Sequence, residues 1–346
     1  MFLGIEIGGT KLQLAAGKGD GSAPAGLIRQ SVNRQKGAGG IRDQLLVLAP
    51  PLLEQYSVEA IGIGFGGPVD SVGGRVLKSH QISGWDDFPL AAWAQEAFGL
   101  PVVLANDSDS AGFAEAQFGA GQGQRIVVYS NVGSGIGGAL VIAGNLYTGS
   151  GGIAAEIGHL RPGLQSEKAD QTVESLASGW AIAASVQSLV ADPVSHRLGA
   201  FIRGGRPRGP ESVRQRLIER EEAHERAAGE LLERCEGRIE RLTTEMVAQA
   251  AEAGNELAIE AFRRACQAFG WALAQVITLL SPNIVVIGGG VAGVGEKLFL
   301  TPLRQEVERY VFPPLAGSYQ IVPAVLDELV VVHGALALAR RELASA

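Results

Sequence analysis

With 346 residues, 46% of them apolar, the chain has material for two lobes of about 150–200 residues, each with a core of its own. A net charge of −7 leaves no broad basic surface for nucleic acid, and the short arginine cluster within 203–208 does not change that. Cys235 and Cys266 stand too far apart to suggest a disulfide framework or a zinc site. No apolar run reaches the length of a membrane span and no basic leader opens the chain, so a cytoplasmic protein with reduced thiols, off the membrane, is expected.

In chain order, residues 2–7 form an apolar run, Gly8-Gly9-Thr10 breaks it, and 11–16 alternates back, which is hairpin grammar. A helix over 41–56, a strand over 60–65 ending at Gly66-Gly67-Pro68, a helix over 89–98 and a strand over 101–105 make an α/β lobe. The opening grammar returns later: a strand over 126–129, a glycine turn over 133–138 and a returning strand over 139–143, a weak internal repeat. Two such hairpins facing each other across a cleft could hold both ends of a polyphosphate. Helical patterns follow over 172–191, 211–252 and 256–280, with a proline-rich loop over 192–210 between the first two. The charged run within 211–252 reads as a solvated amphipathic helix rather than a coiled coil, because its heptads are too few. Pro282 stops the last helix, and a buried strand over 284–287 ends in Gly288-Gly289-Gly290.

The chemistry concentrates in two places. Glycines at 133, 135, 137 and 138 would let backbone N–H groups approach phosphate oxygens and are expected to need a positive φ. Asp107, in LANDSDSA, is a candidate base, since a sugar hydroxyl attacks a phosphoryl group only as its proton is taken. An Asn-Asp pair after Val102, Val103 and Leu104 fits a strand end with a helix cap equally well. Glu156 and His159, three apart in AAEIGH, would share a face if helical and could hold vicinal hydroxyls, or serve structure alone.

These pieces in this order resemble the ROK family of sugar kinases, within the actin-like, hexokinase-like ATPase superfamily. The matching stretches are GIEIGGTK (4–11), GIGFGGPVD (62–70), ISGW (82–85), LANDSDSA (104–111), NVGSGIGGALV (131–141), AAEIGH (154–159), VESLASG (173–179) and IVVIGGG (284–290). The resemblance implies a two-lobed actin-like (ribonuclease H-like) α/β fold with a ligand cleft between the lobes. The small lobe would be 1–115, completed by a C-terminal helix over 331–346; the large lobe would be 116–330, with a helical insertion at about 192–250. It implies ATP and Mg²⁺, a small-molecule sugar as acceptor, and a homodimer. Gly8, Gly9, Thr10 and Lys11 would form a first phosphate loop, and Gly133, Ser134, Gly135, Gly137 and Gly138 a second. Gly288 and Gly289 would face the adenosine. Gly67, Pro68, Asn106, Asp107, Glu156, His159 and Glu174 would surround the sugar, with Asp107 as base.

Four departures from the family pattern carry weight. Most members follow the equivalent of His159 with a CxCGxxGC zinc stretch, whereas LRPGLQSEKADQTV (160–173) has no cysteine, so no structural zinc is expected. Glu6 stands where Asp is usual, lengthening the carboxylate that would face magnesium through water. Ser134 replaces Thr and keeps the hydroxyl, and the charged segment near 192–242 is longer than its usual counterpart. The resemblance implies an ATP-dependent hexose or N-acylhexosamine kinase, glucokinase-like. Polyphosphate as donor, a silent sugar-binding protein and a sugar-responsive regulator are the alternatives. Regulators of this kind carry a winged-helix region ahead of the first phosphate loop, and three residues precede Gly4 here.

Overall fold

A computed structural model describes residues 1–79, 81–163, 168, 170–191 and 211–345. The loop expected over 192–210 and the arginine cluster lie outside the described residues. The first sheet opens with the antiparallel meander β1 (Phe2–Ile7), β2 (Lys11–Gly17) and β3 (Gly26–Ser31), followed by helix α1 (Gly37–Tyr56) and strand β4 (Ala60–Phe65). A small hairpin, β5 (Val69–Asp70) with β6 (Arg75–Val76), and helix α2 (Leu90–Phe98) lead to β7 (Val102–Asn106) and helix α3 (Asp107–Phe118). β4 and β7 run parallel to β1, giving the order β3-β2-β1-β4-β7.

The second sheet repeats the plan. β8 (Ile126–Val132), β9 (Ile136–Ile142) and β10 (Asn145–Leu146) form the meander, and β11 (Ile284–Gly288) and β12 (Gln320–Pro323) add on parallel, in the order β10-β9-β8-β11-β12. Between β10 and β11 stand helices α4 (Glu174–Ala177), α5 (Gly179–Ala191), α6 (Glu211–Arg234), α7 (Thr244–Glu252) and α8 (Glu256–Leu280). α9 (Thr301–Tyr310) precedes β12, and α10 (Val330–Ser345) follows it.

Each sheet is covered on one face by the other's last helix. α3 leaves the first sheet and packs on β8 and β9; α10 leaves the second and packs on β1, β4 and β7; the two helices pack against each other between the sheets. The alternating glycines of β1 and β4 admit α10. A Cβ at Gly62 would lie 1.9 Å from the Ala335 carbonyl oxygen, and one at Gly4 would lie 2.8 Å from that of Val332. Gly334 makes the helix crossing close in the same way, since its Cβ would fall 1.8 Å from the Ser110 carbonyl oxygen. Leu3, Ile5, Leu12, Leu14, Ile41, Ile61 and Ile63 fill the first core, and Val128, Ile182, Phe262, Phe269, Val285 and Leu303 belong to the larger second one.

The expected helices over 172–191 and 211–252 are both interrupted. The first breaks at Ser178, where the next amide, that of Gly179, donates to the Gly133 carbonyl at 2.8 Å. The second stops where Glu236 and Gly237 take positive φ, and resumes at α7 behind the N-cap Thr243. Leu231 and Leu242 are buried, so this segment covers core as well as facing solvent. Cys235 and Cys266 are free and buried. Among the described residues no helix is long and apolar enough to cross a membrane.

Candidate active site

The C-terminal ends of β1, β4 and β7 converge, and β7 delivers Asn106 and Asp107 directly into α3. Asn106 is the N-cap: its Oδ1 accepts from the Ser108 and Asp109 amides at 2.7 and 3.4 Å, while its Nδ2 donates to the Gly67 carbonyl at 2.8 Å. One amide therefore starts the helix and ties it to the loop after β4. Asp107 follows, half-buried. Its Oδ1 accepts from the Ser108 amide at 2.7 Å and from Ser108 Oγ at 3.2 Å. Its Oδ2, toward Gly66, carries no hydrogen bond among the described residues. Burial raises the Asp107 carboxyl to about 6 against the pull of the Ser108 bonds, and the charges of Glu6 and Glu156 add to the rise. The helix cap and the candidate base are thus consecutive residues, and the cap reading holds for Asn106.

Glu6 is buried at the end of β1, with Lys11 Nζ 3.1 Å from Oε1 and Gln13 Nε2 donating to Oε2 at 2.7 Å. Arg29 Nε holds the far side of Gln13 at 3.0 Å, so three strands fix this carboxylate. Gly8 and Gly9 line a narrow cleft with Phe65, Gly66 and Trp85, and Thr10 is exposed at the turn. A Cβ at Gly9 would overlap the Gln81 side chain, while Arg34 Nε holds the Gly9 carbonyl at 2.7 Å.

The second glycine turn runs from Asp107's surroundings to a cavity. Gly137 donates its amide to Asn131 Oδ1 at 3.1 Å, and the same oxygen accepts from Ser108 Oγ at 2.9 Å. At its other end Gly133 and Ser134 open on a cavity of about 900 Å³, walled also by Trp180, Thr243, Glu245, Gly290, Val291 and Gly293. None of Gly8, Gly9, Gly133, Gly135, Gly137 and Gly138 has a positive φ, which corrects the expectation for the turn. Most of them are needed because protein atoms crowd them: a Cβ would meet Glu174 Oε2 at 2.6 Å from Gly135, Ser108 Oγ at 2.1 Å from Gly137 and the Ala155 carbonyl at 2.3 Å from Gly138. Only Gly133 faces open space. Gly288 and Gly289 stand behind the cavity wall, against the Tyr129 hydroxyl and the Val132 backbone, and Gly290 lines the cavity.

Glu156 and His159 flank a single 3-10 turn (Ile157–His159). Ala155 is held at φ 55, a left-handed conformation costly for alanine, and Glu156 sits at φ −71, ψ 63 in an inverse γ-turn closed by the Ile157 amide on the Ala155 carbonyl at 2.7 Å. Glu156 lines the cleft beside Pro68 and Asn106, and His159 is exposed. Withdrawal from water raises the Glu156 carboxyl, His159 opposes this, and Glu174 adds to it. Glu174 Oε2 accepts from the Ile136 amide at 2.8 Å, so a residue expected to touch ligand also clamps the glycine turn. Pro68 lines a cleft with Asn106 and Glu156. The site is thus rich in carboxylates, with Lys11 and His159 beside them, and no group of three or more His, Cys, Asp or Glu placed to hold a metal occurs among the described residues. Trp180 and Asn131 carry no sequence signal separating them from other surface and strand residues; the neighbourhood of Gly133–Gly138 was the only pointer to Asn131.

Two matching sheets, exchanged helices and a carboxylate cleft at the strand ends define a two-lobed α/β ATPase fold of the actin-like type. The ROK family profile matches residues 2–342, and the chain belongs to that family. It is 28% identical to a glucokinase of Thermotoga maritima over 99% of this chain and 98% of the relative. A ROK family glucokinase from Streptomyces griseus, solved with glucose and AMPPNP, superposes with a TM-score of 0.73 at 28% identity, over 98% of this chain and 99% of that one. A xylose repressor of Caldicellulosiruptor bescii is 25% identical over 89% of this chain and 71% of its own length.

Proposed function

We propose that this protein is an ATP-dependent sugar kinase that transfers the γ-phosphoryl group to a primary hydroxyl of a hexose or N-acylhexosamine, with glucose the first acceptor to try. The observation that carries the reading is Asp107: a half-buried carboxylate with one oxygen fixed and the other unengaged, raised to about 6, beside a glycine turn whose far end opens on a 900 Å³ cavity. In this reading the cavity takes the nucleotide, the turn carries its phosphates toward α3, and Asn106, Glu156, His159 and Glu174 orient the sugar. Asp107 Oδ2 accepts the proton of the sugar hydroxyl as the hydroxyl oxygen bonds to the γ-phosphorus and the bond from that phosphorus to the β,γ-bridging oxygen breaks, releasing ADP. Its raised pKa suits a base working near neutrality.

Hard carboxylate oxygens suit Mg²⁺, but one oxygen of Glu6 is ion-paired with Lys11 and the other accepts from Gln13, so Glu6 fits a water-mediated hold on an ion carried in by the phosphates. The ion would neutralise charge on the transferring group. A homodimer in the cytoplasm belongs to the same reading. The test is a coupled ADP-release screen over a hexose panel with ATP and Mg²⁺, and polyphosphate in a parallel arm. Sugar-dependent turnover is expected; saturable sugar binding without turnover in either arm would favour a silent binder or a regulator.

A further inference from the structure

Asp109 lies in the first turn of α3 and is 5% exposed. Its Oδ1 is shielded from water and has no hydrogen-bond partner among the described residues. Asn106 and Ser108 are committed elsewhere, Asn106 to the cap and Gly67, Ser108 to Asp107 and Asn131, and Ser110 Oγ is buried with no hydrogen bond to Asp109. Two positions apart on a helix, side chains leave the axis about 200° apart. Asp107 accordingly lies toward Gly66, while Asp109 lines the cleft shared with Pro68, Gly138, Gly152 and Glu156.

A buried carboxyl oxygen without a donor costs stability, and no hydrogen bond among the described residues offsets it. Burial, then the charges of Glu156 and Asp107, raise the carboxyl to about 8, so near neutrality it is a protonated acid that can both give and accept a hydrogen bond. We propose that Asp109 is a further contact to the acceptor sugar, hydrogen-bonding a hydroxyl on the side of the ring that faces Glu156 and so helping to select which hexose is accepted. This rests on the sugar-kinase reading.

The test compares wild type, Asp109→Ala and Asp109→Asn by melting temperature with and without glucose and other hexoses, and by steady-state kinetics. Asp109→Ala removes an unsatisfied group, so without sugar it should melt no lower than wild type. Its sugar-induced rise in melting temperature should vanish and its sugar KM rise by about tenfold or more, with kcat within about threefold, the pattern of a contact made equally in ground and transition states. Asp109→Asn, neutral and of the same shape, should recover KM to within about threefold. An Asp109→Ala protein with wild-type KM, or one that melts lower while binding sugar normally, overturns the proposal. A wild type that neither binds nor phosphorylates any hexose overturns the kinase reading and this with it, and that outcome is read before any variant is made.

Discussion

At the residue scale, consecutive side chains divide the work, and substitution should separate them. Asp107→Asn is expected to lose at least about a hundredfold in kcat while still binding sugar, as removal of a general base does. Because the folded carboxyl is raised to about 6, above its unfolded value, the stabilisation linked to its proton is present below about pH 4 and lost as pH rises through 6. Asn at 107 should therefore melt no lower than wild type at pH 7, and wild-type kcat/KM should fall as pH drops through about 6. A mutant with near-normal kcat would remove Asp107 from the mechanism. Asn106→Ala should instead lower stability by about 1 kcal/mol through the lost cap, and by more through the freed Gly67 carbonyl, as denaturant titration would read. The cap was legible, and the acid proposed as base with it, because strand end, cap and acid are adjacent in sequence. Asp109 was not, because a short acidic side chain in a first turn looks ordinary until its burial and missing partner are known.

At the element scale, the glycine turn corrects a familiar inference. Runs of glycine suggest unusual dihedrals, yet here the backbone angles suit any residue and crowding by Glu174, Ser108 and Ala155 excludes side chains. Gly137→Ala should thus destabilise the protein by about 1–3 kcal/mol, the scale of overpacking, and weaken sugar and nucleotide alike. Gly133→Ala meets open space, so it should melt normally and raise the nucleotide KM selectively; the reverse ordering would place the phosphates elsewhere. Trp180, 53% exposed on the cavity wall, should change its fluorescence when nucleotide binds, and Trp180→Phe should abolish that change. Strands β1, β4 and β11 and helix α8 were legible from apolar runs bounded by glycine and proline. The edge strands give little periodic signal, β3 because it has no buried residue and β12 because it spans only four residues. The break after α4 follows from a bond to Gly133, far away in sequence, and no local pattern encodes it.

At the scale of the whole molecule, the repeated hairpins noticed in the sequence extend to two sheets of the same strand order, each followed by the helix that covers the other. The crossing admits no Cβ at Gly334, because the obstructing atoms at Ser110 are backbone and cannot swing away. Gly334→Ala should force α3 and α10 apart, lower the melting temperature and depress turnover together; a variant with wild-type values for both would show that the contact gives freely. Contacts proposed for the sugar come from residues before and after this crossing, so closure on binding is expected, read as a smaller radius of gyration by small-angle scattering at saturating sugar.

The exchanged helices also bear on how the protein is made. Strands β1, β2 and β4 leave the ribosome long before the helix that fills their glycine-lined face; Gln13 and the Glu328 carbonyl, joined by a hydrogen bond, are 315 residues apart. The first sheet must wait, with an apolar face uncovered, while the long segment between β4 and α10 is made. Until α10 is released, a nascent chain of this topology exposes the kind of apolar surface that aggregates or is bound by chaperones.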